Sequence, residues 1–341
     1  MNNLAQEPLI SVQGLKVHFP IRGKNLFGGV QGYVKACDGV SFDIRQGETL
    51  GLVGESGSGK TTIGRAVLRA ISATDGHVSF KKNGTQKDLL SLRGEELRLF
   101  RKHMQLIFQD PYSSLNPRMT VRDIIAEPLE ALGLETSKDA VDDRVREVAA
   151  RCKLNVEHLR RFPHAFSGGQ RQRICIARAL VSQPDFVVCD ESVSALDVSI
   201  QAEILNLLAD LQQELGLAYL FIAHDLSVVA HIAHRIAVLY VGKMVELAPS
   251  KSLFAAPKHP YTKALMSAIP QVSREIAFNP EKLVGEIPNP ADVPSGCRFH
   301  TRCPYAQDAC KTTEPEWRQI GDEHFVACHF AEELADAPSA H

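Results

Sequence analysis

The stretch "GESGSGKT" (Gly54–Thr61) decides the fold. It matches the pattern G-x-x-x-x-G-K-[S/T], in which glycines let the backbone curl until several amide groups face one point. The apolar run "ETLGLVG" (48–54) predicts a buried strand before it. Apolar residues at positions 63, 66, 67, 70 and 71 predict an amphipathic helix that begins near Lys60. A glycine-rich turn could match the pattern by chance, but a strand and a helix in these places predict a phosphate-binding loop.

The chemistry of this loop gives its side chains separate roles. The positive end of the helix dipole favours an anion at the loop. The Lys60 ammonium can reach the β- and γ-phosphates of ATP, and the Thr61 hydroxyl can ligate Mg²⁺. The residues expected to hold the nucleotide are Gly54, Glu55, Ser56, Gly57, Ser58, Gly59, Lys60, Thr61 and Thr62.

Composition narrows the class of protein. The 341 residues are 44% hydrophobic and carry a net charge of -2, so the chain can bury a core and has no basic excess that would indicate nucleic acid as a partner. It contains no apolar stretch of the length needed to span a membrane, and its start lacks the pattern of a secretory signal. We therefore expect a cytoplasmic location, where thiols stay reduced.

Patterns along the chain predict an α/β fold. Predicted strands (9–19, 33–44, 48–54, 185–191, 218–225 and 234–247) alternate with helical patterns, which favours a mainly parallel sheet. Residues 112–165 are mostly helical in pattern. Residues 20–32 are rich in glycine and basic side chains and predict a loop. The sequence becomes rich in proline from about residue 255, which predicts a domain boundary there. We expect a domain over 8–255 and a C-terminal extension over 256–341.

Two adjacent carboxylates, Asp190 and Glu191, end the predicted strand "FVVCDE" (186–191). Paired charges at the end of a buried strand are costly unless a cation or substrate uses them. We expect Asp190 to hold Mg²⁺ through water and Glu191 to polarise the water that attacks the γ-phosphate. A solvated acidic turn is the alternative, which the phosphate loop upstream disfavours.

A second anion-binding helix start is predicted in "FSGGQRQRICIARAL" (166–180). Ser167 can cap the helix, and Gly168 and Gly169 permit close backbone approach. One chain hardly needs two such sites for the same phosphate. A head-to-tail dimer, in which this loop covers the γ-phosphate held by the other subunit, accounts for both.

At this point the sequence resembles the ATP-binding subunits of ABC transporters over roughly residues 8–255. The motifs that carry the resemblance are the phosphate loop, Gln109 in "IFQDP", the signature "SGGQ" (Ser167–Gln170), Asp190 and Glu191, "SALD" (Ser194–Asp197) and His224 in "FIAHD". The resemblance implies a P-loop ATPase domain with a mixed sheet core, an antiparallel β subdomain and a helical subdomain. It implies that Gln109 contacts Mg²⁺ and water, that Glu191 is the base and that His224 senses the γ-phosphate. Phe166, Cys189 and Ser192 depart from the usual motifs without removing a catalytic group.

The family also leads us to expect an aromatic side chain that stacks on the base. Tyr33 is the candidate and Phe19 the alternative, while an ordinary packed aromatic is equally compatible with the sequence.

Longer matches indicate a branch of the family. The segments "IFQDPYSSLNPRMTV" (107–121), "HPYTKALMSAIP" (259–270) and "PSGCRFHTRCPYA" (294–306) are similar to oligopeptide and dipeptide importers, whose relatives carry nickel or glutathione. The loop over 20–32 resembles that of their second ATPase subunit. This resemblance implies a heterodimer with another ATPase subunit, two transmembrane subunits, a peptide-binding protein and a peripheral place at the cytoplasmic face of the membrane. A soluble ABC-type ATPase of DNA repair or translation is the alternative class.

Four cysteines fall within a short part of the predicted extension, at Cys297, Cys303, Cys310 and Cys328. The spacing C-x5-C-x6-C-x17-C leaves zinc, an iron–sulfur cluster and free thiols all open. The resemblance to peptide-importer ATPases implies a 4Fe-4S cluster on these four residues. A mixed zinc site that includes His300, His324 or His329 is the alternative. The other four cysteines are scattered, which indicates core thiols.

Overall fold

The computed structural model describes residues 7–23, 29–135, 137–268 and 283–335. Strands in this part of the chain are β1 (Ile10–Arg22), β2 (Val30–Ile44), β3 (Thr49–Val53), β4 (Asp75–Lys82), β5 (Thr85–Asp88), β6 (Met104–Ile107), β7 (Phe186–Asp190), β8 (Ala218–Ile222), β9 (Arg235–Tyr240), β10 (Lys243–Pro249), β11 (Arg318–Gly321) and β12 (His324–Val326). Within these ranges no helix combines the length and the apolar character that crossing a membrane requires.

The helices of the described residues are α1 (Lys60–Val67), α2 (Gly94–Phe100), α3 (Pro111–Ser114), α4 (Val121–Leu132), α5 (Lys138–Arg151), α6 (Gly168–Leu180), α7 (Val198–Leu215), α8 (Leu226–Ile232), α9 (Ser250–Ala255), α10 (Pro260–Ser267) and α11 (Asp308–Thr312). Helices α3, α4 and α5 confirm the helical pattern predicted over 112–165. Thr120 caps α4 by accepting a hydrogen bond from the Asp123 amide, and Gly133 ends the helix in a left-handed conformation.

The central sheet has eight strands in the order β11-β12-β10-β9-β3-β8-β7-β6. The five strands from β9 to β6 are parallel, and β10, β12 and β11 add to them in antiparallel fashion. A second sheet, in the order β2-β1-β4-β5, is antiparallel throughout. The α/β fold and the antiparallel subdomain implied by the resemblance are therefore confirmed.

The central strands are buried on both faces, which explains why they lack alternation in sequence. Leu50 and Leu52 of β3 pack into a core shared with the antiparallel sheet and α1. Val53 and the β8 side chains Tyr219 and Phe221 pack into the other core, with α4 to α8. The two cores fix β3 from both sides, and β3 delivers the chain to the glycine-rich loop.

Two predictions from the sequence need correction. The loop predicted over 20–32 is shorter in the described residues, because β1 continues to Arg22 and β2 begins at Val30. A separate cysteine-rich extension is not supported, since β12 pairs with β10 and so extends the central sheet with residues from beyond position 255.

The exact domain boundary stays a prediction. The last two residues of the segment 259–270 lie outside the described residues.

Candidate active site at the carboxyl edge of the central sheet

The predicted phosphate loop occupies the turn between β3 and α1. Gly59 has φ 102° and Gly57 has φ 78°, in the left-handed region that glycine tolerates best. A Cβ on Gly59 would lie 2.0 Å from the Ala36 carbonyl oxygen, whereas a Cβ on Gly57 would meet nothing within 4 Å. The loop therefore needs glycine at position 59 for two reasons, the backbone conformation and the close approach of β2.

Lys60 is buried and its ammonium points back into this loop. Its Nζ donates to the carbonyl oxygen of Gly54 at 2.7 Å and to that of Glu55 at 3.0 Å. Burial lowers the pKa of Lys60, while the charges of Glu191, Asp190 and Glu55 oppose that change. A buried cation bonded to neutral carbonyls is suited to exchange them for an anionic ligand.

Asp190 and Thr61 form an oxygen pair beside Lys60. The Thr61 hydroxyl donates to Asp190 Oδ1 at 2.7 Å, and Arg65 approaches the other oxygen at 3.8 Å. Burial raises the pKa of Asp190, and the bond from Thr61 and the charge of Arg65 oppose that rise. A hydroxyl and a carboxylate oxygen are hard ligands of the kind Mg²⁺ prefers, so these residues fit the predicted metal. No motif in the sequence indicates this contact of Arg65.

Glu191 follows directly and meets two of the other predicted residues. The Gln109 side-chain amide donates to Glu191 Oε2 at 2.7 Å. His224 Nδ1 lies 3.7 Å from the same oxygen. Glu191 itself has φ 47°, which is uncommon for a residue with a side chain. The three side chains come from the ends of β7, β6 and β8, whose carboxyl ends share one edge of the sheet, as is usual for ligand sites in such folds.

The predicted signature residues begin α6, as expected. Ser167 and Gln170 form a capping box, with the Ser167 amide donating to Gln170 Oε1 at 3.0 Å. A Cβ on Gly169 would lie 2.6 Å from Ile200 Cγ2, so this glycine permits the packing of α6 against α7. Gly168 lies beside it in the first turn of the helix.

The base-stacking candidates are not separated by exposure, because Tyr33 is 49% exposed and Phe19 is 43% exposed. In the register of β1 with β2, Tyr33 pairs with Pro20 and Phe19 pairs with Val34, so the two rings lie on opposite faces of the ribbon. Tyr33 stays a prediction.

The four clustered cysteines line one small cavity of about 20 Å³. Burial raises the pKa of Cys297 to about 11 and that of Cys303 to about 12. However, no group of three or more His, Cys, Asp or Glu side chains in the described part of the chain is arranged to hold a metal ion. The 4Fe-4S cluster and the zinc alternative are therefore not supported by the structure.

The histidines considered as alternative ligands have other partners. His324 pairs with the buried Glu246 at 2.7 Å, and His300 and His329 bond to backbone oxygens of Cys297 and Thr313. The scattered cysteines Cys37, Cys152, Cys175 and Cys189 are buried, as predicted.

Tyr261 and Arg302 contact the phosphate loop, and no sequence pattern predicts these contacts. The Glu55 amide donates to the Tyr261 hydroxyl at 2.9 Å, and the Glu55 carboxylate accepts two hydrogen bonds from Arg302. Both partners lie beyond the predicted boundary at 255, so only the fold brings them to the loop.

Comparison with known proteins agrees with this geometry. Residues 37–194 match the family model described as ABC transporter, and residues 245–310 match that of the oligopeptide/dipeptide transporter C-terminal region. The chain is 49% identical to the oligopeptide transport ATP-binding protein AppF of Bacillus subtilis over 327 residues, 95% of this chain and 98% of that protein. It is 49% identical to the oligopeptide transport ATP-binding protein OppF of Salmonella typhimurium over 323 residues, 94% of this chain and 95% of that protein.

Two solved structures share the fold. One is the dimeric ATP-binding cassette MJ0796 bound to ADP and phosphate, with a TM-score of 0.60, 25% identity, and cover of 71% of this chain and 98% of that one. The other is cbiO1 from Clostridium perfringens, with a TM-score of 0.61, 24% identity, and cover of 73% of this chain and 92% of that one.

Gly57 and Gly59 of the phosphate loop supply a matched pair of variants. Gly59→Ala is expected to weaken nucleotide binding at least tenfold, because the new methyl group meets backbone that cannot yield. Gly57→Ala carries only the cost of its left-handed φ and is expected to weaken binding less than threefold. Equilibrium titration with a fluorescent ATP analogue measures both. Equal losses in the two variants would contradict the role given to Gly59.

Proposed function

The chain belongs to the ABC transporter family of oligopeptide and dipeptide import ATP-binding proteins, and on that basis we propose that it hydrolyses ATP to power a peptide importer. The observation that carries this proposal is the convergence of Lys60, Thr61, Asp190 and Glu191 at one sheet edge. The relatives named oligopeptide transport ATP-binding proteins support the peptide class of cargo.

Hydrolysis in this proposal relies mostly on positioning and electrostatics. Lys60 turns from the Gly54 and Glu55 carbonyl oxygens to the terminal phosphates of ATP. Thr61, Gln109 and Asp190 would hold Mg²⁺, Asp190 through water, and the bound ion would neutralise phosphate charge. Glu191 orients and polarises the attacking water, and Gln109 and His224 hold the Glu191 carboxylate in place. The catalytic set in this proposal is the predicted one of Glu191, His224, Gln109 and Lys60, in which Gln109 also contacts Mg²⁺ and water and His224 also senses the γ-phosphate.

Dimerisation completes the site. The signature residues Ser167–Gln170 start a long helix, and the capping box uses the amides of Ser167 and Gln170. The Gly168 and Gly169 amides belong to the first turn, where no earlier carbonyl of the helix can accept from them, which suits them to the γ-phosphate held by another subunit. The dimeric ATP-binding cassettes with this fold support that arrangement. We propose that the other subunit is a second, different ATPase, so that ATP closes a heterodimer and hydrolysis reopens it.

The remaining partners follow from the importer assignment. Exposed Phe108 and Tyr112 flank Gln109 and offer an apolar contact for membrane subunits, so motion at Gln109 can reach them. We propose two transmembrane subunits, a peptide-binding protein that delivers the cargo, and a peripheral place at the cytoplasmic face of the membrane. Nickel and glutathione importers remain alternative assignments within the family.

The four clustered thiols are the place where we propose a 4Fe-4S cluster, with zinc as the alternative. Support comes from the convergence of Cys297, Cys303, Cys310 and Cys328 on one cavity, although their present arrangement is not that of a metal site. The thiolates would be the ligands, so metal binding has to overcome the raised pKa values of Cys297 and Cys303. No step of ATP hydrolysis depends on the cluster.

Replacement of the proposed base separates binding from chemistry. Glu191→Gln is expected to bind ATP with a Kd within about threefold of the wild type and to lose activity by roughly 10²- to 10⁴-fold, the usual contribution of a general base. Steady-state phosphate release and nucleotide titration measure the two quantities. Glu214→Gln, at an exposed carboxylate on α7, is the control and keeps full activity. Near-normal turnover of the Glu191 variant would remove the assignment.

Metal analysis tests the proposal for the thiols. Protein purified anaerobically is expected to contain about four iron and four sulfide per chain if it holds one 4Fe-4S cluster. Cys310→Ser should abolish that content, whereas Cys175→Ser, at a core thiol, should keep it. About one zinc per chain without sulfide would favour the alternative, and a metal-free wild type would contradict both.

A further inference from the structure

Residues from beyond position 255 hold both ends of Glu55, the first residue after Gly54 in the phosphate loop. The Glu55 amide donates to the Tyr261 hydroxyl at 2.9 Å. Its carboxylate accepts hydrogen bonds from Arg302 at 2.6 and 3.1 Å, one from each terminal nitrogen. The paired geometry is the strong form of an arginine–carboxylate contact. Meanwhile the Glu55 carbonyl oxygen accepts from Lys60, so a short chain of bonds runs from Arg302 to the ammonium.

Arg302 is built into its position rather than resting on the surface. The residue is 9% exposed, and its guanidinium lies 5.9 Å from the centre of the Tyr240 ring. Tyr240, Tyr261 and Phe299 pack edge-on or tilted against one another at 4.7 to 5.3 Å between ring centres. A buried guanidinium beside the Tyr240 ring has little freedom to leave its carboxylate, and loss of that partner would leave a buried charge.

The backbone that carries Arg302 belongs to the turns that bear the clustered thiols. The Arg302 amide donates to the Phe299 carbonyl oxygen at 2.9 Å, and the His300 amide donates to that of Cys297 at 3.0 Å. Cys303 follows Arg302 directly and lines the same cavity as Cys297. The position of the guanidinium is therefore set by these turns.

We propose that Arg302 is a positioning residue for the ATP site, which holds the Glu55 end of the phosphate loop in the curvature that binds ATP. This role rests on the proposed ATPase function. Arg302 acts through Glu55 and not on the reacting atoms, so it sets ATP affinity rather than the rate of the chemical step. The cysteine-bearing turns thereby influence how well the site binds ATP.

The test compares the full-length wild type with Arg302→Gln, Glu55→Gln and the double variant. Each single variant is expected to raise the Kd and the KM for ATP roughly five- to tenfold, a usual size for coupling between sites, with kcat within about twofold. The double variant is expected to lose less affinity than the product of the two single losses, because neither partner is left unpaired.

Arg298→Gln is the matched control. Arg298 is also an arginine of these turns, with a side chain that is 9% exposed, and it pairs with a carboxylate, Asp38, outside the phosphate loop. We expect Arg298→Gln to lower the thermal midpoint of unfolding about as much as Arg302→Gln does and to change ATP affinity less than twofold. Equal affinity loss in both variants, or multiplicative losses in the double variant, would overturn the proposal. A wild type that binds no ATP would instead overturn the proposed function.

Discussion

The buried ammonium of Lys60 is the feature on which the site depends. Lys60 begins α1, after the loop that follows β3, and two cores fix β3 from opposite sides. This loop presents carbonyl oxygens to the ammonium. Burying a cation among neutral oxygens is costly, and the acidic groups at Asp190 and Glu191 offset that cost only in part. The arrangement gains most from a ligand that brings several negative charges, which is what the terminal phosphates of ATP provide. The glycines, the strand order and the two carboxylates all help to position the Lys60 ammonium for this ligand.

The parts of the site that sequence predicts well are local. Strand β3, the glycine loop and α1 follow one another in the chain, so residue spacing alone places Lys60 and Thr61. The sequence also predicts a functional role for Asp190 and Glu191, because paired charges at the end of a buried strand are costly unless a cation or substrate uses them. Gln109 and His224 required the family resemblance, since neither has a local signal. Their meeting at Glu191 depends on the order of the parallel strands, which no single segment encodes.

The parts that sequence missed involve distant residues. Arg302 and Glu55 are 247 positions apart, and nothing in the text "CRFHTRCP" distinguishes this arginine from a surface residue. The pairing of β12 with β10 was hidden for the same reason, because three residues of strand have too little pattern to be recognised. Through this pairing, β12 and its neighbour β11 join the residues beyond 255 to the central sheet. The residues beyond 255, which the sequence predicts to be a separate extension, are thus in contact with the phosphate loop. The four clustered thiols therefore lie close to this loop rather than apart from it.

The central claim is that this chain binds a nucleotide through its terminal phosphates at Lys60. Isothermal titration of the full-length chain with ATP and with AMP, both in the presence of Mg²⁺, tests it most directly. We predict about one ATP bound per chain and AMP affinity lower by at least a hundredfold, because AMP lacks the β- and γ-phosphates that the loop and Lys60 hold. Equal affinity for the two nucleotides, or no heat of binding with ATP, would contradict the account.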